Sequence, residues 1–554
     1  MAERRTIVDW AIHWEQAFPE RVFMTQPLGG GYGNVRNYTF RETLDQARRM
    51  ANYLKGLALP ARSRIAICSK NCAHWVMADL AIWMAGHVSV PVFPILPTEI
   101  VRHVLEHSDS RLLFVGKLDP IWQQMKAGVP ADMPTISFPL GPDGASLRWN
   151  EVVAGQSPLL QPVDRSPDEM ATIIYTSGST GVPKGAMISF RSMVECSVHL
   201  TKFLRVRPED RYLSYLPVAH SMERWLGECL PLVAGHHVFF AESLDTFLCD
   251  LQRARPTVFL SVPRLWVKFQ RGVFEKMPPQ KLDLILKIPI LGRIVKRKIL
   301  SKLGLDQVRI AGSGSAPLPA GVGAWYRSLG LELLEGYGMT ENFNFSHLCR
   351  PGQVRAGYVG QPYDQVQCRL GEGDEIQVRT PGCMMGYFKM PEESAAVLLP
   401  DGFLRTGDRG SIDEMGRLKI VGRTKEIFKT SKGKYIAPAM IENLLVNHPR
   451  IELCCVSGAG FAQPHGIVQL SDAARNADAV VVEKELADHL RRVNDGLPSY
   501  EKLQFVAVAK SVWSPENGFL TPTMKIRRSC IEETYQPNNE RWYSSNKPVV
   551  YEDN

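Results

Sequence analysis

The chain has 554 residues, 45% of them hydrophobic and 22% charged, with a formal net charge of +8. That length exceeds one core and calls for two to four domains or subdomains, and the composition is that of a soluble globular protein. A membrane-spanning chain is excluded by pattern: the most apolar stretch, Trp75–Val92, is broken by Asp79, Gly86, His87 and Pro91.

In chain order, Thr39–Leu57 is amphipathic with helical period, and Ser63–Ile67 is a short strand before Ser69, which has the chemistry of an N-cap. Trp75–Val92 reads as a buried helix running into a strand at His87–Phe93. Apolar strands follow at Ala171–Tyr175, Gly185–Ser189, Thr257–Val262 and Gln307–Ala311. Strands alternating with helices predict an α/β architecture. From about Gly357 the texture changes to short strands with Gly/Pro turns, at Asp374–Arg379, Phe403–Thr406 and Arg417–Val421. A smaller α+β unit comes next, with helices near Ala439–Asn447 and Glu483–Gly496, and residues 536–554 read as loosely packed.

The basic start MAERRT leads into no small-residue cleavage site. The eleven cysteines form no C-x-x-C pair, and neither Cys68/Cys72 nor Cys454–Cys455 has zinc spacing. This is the pattern of reduced core thiols in a cytoplasmic protein. Much of the positive charge gathers in Leu291–Leu303, LGRIVKRKILSKL. Leu291, Ile294, Val295, Ile299 and Leu303 fall at helical spacing, with Arg293, Lys296, Arg297, Lys298 and Lys302 around them. Two readings stand: a surface helix packing its stripe on the core, or a basic amphipathic helix lying on an anionic membrane. Nucleic acid is disfavoured, because no aromatic residue interleaves with the charges.

Tyr175–Gly185, YTSGSTGVPKG, concentrates three glycines, several hydroxyls and Lys184 in one loop. Small residues let backbone approach a ligand, and exposed N–H groups form an anion-binding concavity. Walker A is ruled out: Gly185 stands where its Mg²⁺-binding hydroxyl belongs, and the loop leads into a strand instead of a helix. Further small-residue or charged stretches follow in order: AGSGSA (311–316), EGYGMTEN (335–342), RTGDRG (405–410), VGRTKE (421–426) and LTPTMKIRR (520–528). Each alone is a common turn. Their order over 350 residues is not.

With LPVAHSMER (216–224), SVPRLWVKF (261–269) and PGCMMGYFKMPE (381–392), these motifs resemble those of the adenylate-forming enzymes. That superfamily includes acyl-CoA synthetases, peptide-synthetase adenylation domains and luciferases. The match runs from about residue 30 to residue 530 and is nearest the long-chain fatty acyl-CoA synthetases. The resemblance implies a large N-terminal ATP- and acyl-binding domain of mixed sheets and helices (1–424), with a β-rich subdomain. A small, mobile α+β C-terminal domain (425–554) would carry the catalytic lysine. It implies fatty acid, ATP, Mg²⁺ and CoA as substrates and cofactors, with acyl-AMP as intermediate and AMP and pyrophosphate as products.

Carried over by position, Thr176, Ser177, Gly178, Ser179, Thr180, Gly181 and Lys184 would cradle the phosphates, with Thr176 next to the metal-bound phosphate. Tyr337, between Gly336 and Gly338, would stack on adenine; Thr340 would contact the α-phosphate and Glu341 would ligate Mg²⁺. Asp408 would accept from the ribose hydroxyls beside Arg423, although these two could equally form a plain salt bridge. His220 would line the acyl site, against a structural role. Lys425 matches the family's hinge, and Gly433 in SKGKY the loop that passes close to pantetheine. Lys525 would bridge the acyl carboxylate and the transferring phosphate. Asn342 departs from the small or hydroxyl residue of many relatives and leaves local pocket shape open. Also open are a carrier-protein acceptor in place of CoA, release of acyl-AMP, and a non-catalytic acyl- or nucleotide-binding protein with peripheral contact at the inner membrane surface.

Overall fold

The computed structural model describes residues 5–118, 120–176, 182–521 and 524–552. Two large sheets organise the N-terminal part. One has nine strands, in the order Gln361–Pro362, His347–Leu348, Leu333–Tyr337, Ile310–Ser313, Val258–Ser261, Arg211–Ser214, His237–Phe240, Val22–Pro27, Val35–Thr39. Its centre is parallel. The other has eight, in the order Gly386–Tyr387, Lys184–Ser189, Met170–Thr176, Val88–Val92, Arg64–Cys68, Ser110–Val115, Thr135–Ser137, Leu147–Arg148. Helix Ala73–Met84 is buried along its whole length and packs on strands of both sheets. A helix apolar all round belongs in such a place.

The α/β expectation holds, with local corrections. Helix Phe40–Gly56 begins at Thr39, whose hydroxyl accepts from the Glu42 amide while Glu42 reaches back, a reciprocal cap. Ser69 caps nothing: the next helix starts after Cys72, and Ser69 donates to the Lys70 carbonyl. The strand expected at Gln307–Ala311 lies at Ile310–Ser313.

The β-rich unit is an antiparallel sheet of Gln367–Leu370, Glu375–Arg379, Leu404–Ile412 and Leu418–Arg423. The smaller C-terminal part is built on Ile451–Ser457, His465–Leu470, Val506–Val508 and Val549–Tyr551. Alternate residues of its first strand face two cores: Cys454 and Val456 join helices Pro438–Leu445 and Ala479–Asp495, whereas Cys455 joins Arg528–Tyr535 and Trp542. The tail is therefore not loose. Trp542 and Val549 are buried, and Val549–Tyr551 completes the sheet. Among the described residues every cysteine is a free thiol and only Cys249 is exposed.

Candidate active site

The small-residue loop springs from the tip of a hairpin. Strands Met170–Thr176 and Lys184–Ser189 pair antiparallel, with Thr176 opposite Lys184, so both ends of the loop are fixed at one edge of the cleft. Thr176 Oγ1 donates to the Lys184 carbonyl at 3.5 Å. Gly185 is required here, since a Cβ would lie 2.6 Å from Ile173. Ser177, Gly178, Ser179, Thr180 and Gly181 lie outside the described residues.

EGYGMTEN leaves strand Leu333–Tyr337 and turns tightly. A Cβ on Gly338 would meet the Asn344 backbone at 2.5 Å, and one on Gly336 would meet Leu348 at 3.1 Å. Asn342 is fully buried and its Oδ1 accepts from the Met339 amide at 2.9 Å. It closes this turn. Thr340 Oγ1 and Ser221 Oγ are hydrogen-bonded at 2.9 Å, joining this turn to LPVAHSMER.

Glu341 is held by Tyr387, to which the motifs assign no role. Tyr387 Oη donates to Glu341 Oε1 at 2.8 Å, and the Met384 amide donates to the Glu341 carbonyl at 2.8 Å. The Lys184 ammonium lies 5.4 Å from the centre of the Tyr387 ring, within cation–π range. One tyrosine thus touches both the proposed phosphate lysine and the proposed metal carboxylate. It lies within PGCMMGYFKMPE, quoted above as a motif but not resolved to residues. Glu341 Oε2 takes no hydrogen bond from the described residues, and these form no group of three or more His, Cys, Asp or Glu able to cage a metal. A single hard carboxylate oxygen at a cleft fits Mg²⁺, which keeps water and phosphate oxygens as most of its ligands.

Across the cleft, RTGD sits in strand Leu404–Ile412 with Gly407 at φ +71°, a conformation that favours glycine. The turn presents Asp408, whose Oδ2 accepts from Tyr337 Oη at 2.7 Å and whose Oδ1 faces Arg423 Nε at 3.3 Å. Burial raises the Asp408 pKa, against the pull of Arg423. The salt bridge foreseen as an alternative is present, and it shares Asp408 with Tyr337.

His220 caps the short helix Ser221–Glu223: its Nδ1 accepts from the Met222 amide at 3.1 Å. This leaves Nε2 as the N–H of the neutral ring. Burial and the nearby Lys525 charge push the His220 pKa down to about 3, so the ring is neutral at physiological pH. The segment is anchored from behind. Glu223 accepts from Tyr212 at 2.9 Å and from Ser214 at 2.7 Å; Arg224 pairs with Asp79 at 2.6 Å, both fully buried.

Lys525 reaches the cleft from the C-terminal part, on a turn where Thr521 N donates to its carbonyl at 2.7 Å and Met524 has φ +62°. Crowding in the cleft wall and the neighbouring Arg423 lower its pKa, opposed by Asp408, Glu426 and Glu341. Solvent still reaches the side chain, so this is crowding and not sealing. Lys525, His220, Glu341, Asp408 and Arg423 are thus brought to one site from positions 305 residues apart along the chain. Lys425 lies in the single turn Thr424–Glu426 that links the two parts. Gly433, at φ +76°, forms the turn between Phe428–Lys429 and Tyr435–Ile436.

A two-part α/β chain in which the small part lends a lysine to a cleft of the large part has the organisation of an adenylate-forming enzyme. The chain matches the AMP-binding enzyme family over residues 12–388 and the AMP-binding enzyme C-terminal domain over residues 425–547, and it belongs to that family. It is 29% identical to long-chain-fatty-acid–CoA ligase 1 of Cavia porcellus, covering 92% of this chain and 82% of that one. With long-chain-fatty-acid–CoA ligase FadD15 of Mycobacterium bovis it shares 28% identity over 98% of each chain. The crystal structure of the anthranilate CoA ligase AuaEII with anthranoyl-AMP superposes with a TM-score of 0.80 at 20% identity, covering 97% of this chain and 98% of that one. At that identity the likeness speaks to the fold alone.

Proposed function

We propose that the protein is a fatty acid–CoA ligase that acts through an acyl-adenylate. The observation that carries this reading is the approach of the Lys525 ammonium to Asp408, Arg423 and Glu341 beside His220, which unites groups from both parts of the chain. The substrate class is supported by two relatives, both named as long-chain-fatty-acid–CoA ligases. The reading divides the chain into a nucleotide- and acyl-binding domain, 1–424, and a lysine-bearing domain, 425–554. It keeps the protein in the cytoplasm with peripheral membrane contact.

A carboxylate is a weak nucleophile toward a polyanion, so positioning and charge neutralisation must provide most of the catalysis. In the first step a carboxylate oxygen attacks the α-phosphorus and the bond to pyrophosphate breaks. Lys525 holds the incoming carboxylate against the transferring phosphate, and Thr340, fixed through Ser221, donates to that phosphate. Lys184 and the Thr176–Gly181 loop receive the leaving pyrophosphate. Asp408, oriented by Tyr337 and Arg423, accepts from the ribose, and the Tyr337 ring flanks the base. Glu341 would hold Mg²⁺, which supplies neutralisation of phosphate charge. In the second step the CoA sulfur, as thiolate, attacks the acyl carbonyl and AMP leaves, after the small domain turns about Lys425 and brings Gly433 to the thiol. A neutral His220 lines the acyl site and can donate through Nε2.

The test is pyrophosphate release from ATP over a panel of C2–C20 and aryl acids, with and without CoA. We expect Mg²⁺-dependent release with C12–C18 acids and CoA-dependent thioester. Preference for aryl or short acids by tenfold would overturn the substrate class. Pyrophosphate release with no CoA thioester would point to a carrier-protein or acyl-AMP ligase.

A further inference from the structure

Helices Pro279–Leu286 and Pro289–Lys302 form a hairpin on the flank of the nine-stranded sheet. Their apolar residues divide into two sets. Leu282, Leu286, Val295, Ile299, Leu300 and Leu303 face inward and pack with Trp325 and Phe269. Leu284, Ile288, Ile290, Leu291 and Ile294 face outward, exposed by 67%, 50%, 79%, 43% and 58%. The two readings of this helix are therefore compatible: one stripe packs on the core, and a second apolar set remains at the hairpin's turn. Leu291 and Ile294 leave the expected core stripe, while Leu284, Ile288 and Ile290 join them from outside the 291–303 segment.

The surroundings of this set are charged with one sign. Residues 279–302 contain Lys281, Lys287, Arg293, Lys296, Arg297, Lys298 and Lys302 against the single Asp283. No described carboxylate lies within ion-pair distance of any of these cations. An exposed apolar cluster is an interaction surface. A ring of unpaired cations around it selects an anionic partner that also dissolves aliphatic side chains, the combination a phospholipid surface offers. No described helix is long and apolar enough to cross a bilayer, so contact of this kind is peripheral.

We propose that the hairpin turn, residues 284–294, inserts Leu284, Ile288, Ile290, Leu291 and Ile294 into the interface of an anionic bilayer, with Lys281, Lys287, Arg293 and Arg297 on the headgroups. This deepens the peripheral contact in the function proposed above by moving it from the 291–303 stripe to the turn. It does not depend on which acid is activated.

The test is sedimentation of the full chain with vesicles of neutral phosphatidylcholine, or of the same lipid carrying 30% phosphatidylglycerol. The wild type should partition onto the anionic vesicles and release as salt rises. Arg293→Gln with Arg297→Gln should lower that partition about 25-fold, at about fivefold per charge. Ile290→Glu with Ile294→Glu should abolish it. These side chains are exposed, so the melting temperature and pyrophosphate release from a vesicle-free assay with a C12 acid should stay at wild-type values. Equal binding to neutral and anionic vesicles, or no binding at all, would overturn the proposal. So would unchanged binding by the Ile290→Glu, Ile294→Glu variant, or a light-scattering mass showing that this variant only splits a dimer. Loss of activity on every acid with vesicle binding intact would instead sink the ligase reading and leave the surface standing.

Discussion

Removing the hydroxyl of Tyr387 isolates one contact at the proposed metal carboxylate. Tyr387→Phe keeps the ring beneath Lys184 and deletes only the 2.8 Å bond to Glu341 Oε1. Both residues are 8% exposed, so water replaces the lost donor poorly. A hydrogen bond to an ionised acceptor contributes about 1.5–3 kcal/mol, or roughly 10- to 150-fold. Losing the group that orients a metal-binding side chain typically costs about 10–100-fold in metal affinity or activity. We therefore expect the Mg²⁺ concentration for half-maximal pyrophosphate release to rise about 10–100-fold. The KM for ATP at saturating Mg²⁺ should change less than about threefold. Direct titration with Mn²⁺ and ATP gives the same comparison without turnover, and Tyr387→Leu, which also strips the ring from Lys184, should raise the KM for ATP as well. An unchanged Mg²⁺ requirement in Tyr387→Phe, with a normal melting temperature, would refute the positioning role.

Lys525→Ala should slow acyl-AMP formation by about 100-fold or more, yet still convert supplied acyl-AMP and CoA to thioester; equal loss in both half-reactions would contradict its assignment to the first. Glu452→Lys places a third cation against Arg264 and Arg271 and should cut adenylation by about fivefold. The thioester step, measured from supplied acyl-AMP, should not slow, and a loss there would show that the contact is merely structural. Glu223 titrates at about 8 in the fold, where burial disfavours its charge, against 4.5 in the unfolded chain. Between those values the folded state holds the extra proton, so stability falls as pH rises through this window. Glu223→Gln should flatten that slope in melts from pH 5 to pH 9, and a slope identical to the wild type would exclude Glu223 as its source.

The fold class was legible wherever a strand is apolar along its length, as at Ala171–Tyr175. Element boundaries and the packing of the tail were misplaced where neighbours decide. The central strand Ile310–Ser313 was expected at Gln307–Ala311, because the small residues of AGSGSA (311–316) read as a loop. Its small residues let the sheet close, since a Cβ on Gly312 would lie 2.3 Å from Leu260. Residues 536–554 read as loose from their polar composition, but Trp542 and Val549 are two apolar anchors spaced for a helix and an edge strand. At the site, motifs supplied residue types and order, and a turn such as Gly407–Asp408 follows from local chemistry. Pairings did not follow. Tyr387 and Glu341 are 46 residues apart in sequence, and only the strand Gly386–Tyr387, laid beside Lys184–Ser189, brings them together.

The contacts that seat the small domain fit the rotation proposed for it. Helix Pro263–Lys276 reaches it through Arg264 and Arg271, which pair with Glu452; Arg271 also donates to the His448 carbonyl at 3.2 Å. Arg264 is 46% exposed and Arg271 and Glu452 each 26%, so solvent screens the pairs and each contributes only about 0–1 kcal/mol. Lys525, meanwhile, enters a site where crowding and Arg423 already disfavour its charge. These salt bridges thus hold the seated orientation only weakly, and at its tip crowding and Arg423 disfavour the Lys525 charge while Asp408, Glu426 and Glu341 favour it. An anionic carboxylate and phosphate between Lys525 and Arg423 would reverse that opposition, turning two repelling cations into two ligands of one anion. In the proposed reaction, departure of pyrophosphate removes part of that negative charge and weakens the hold on Lys525. In that proposal the lysine assigned to adenylation also makes the small domain's orientation depend on whether adenylation has taken place.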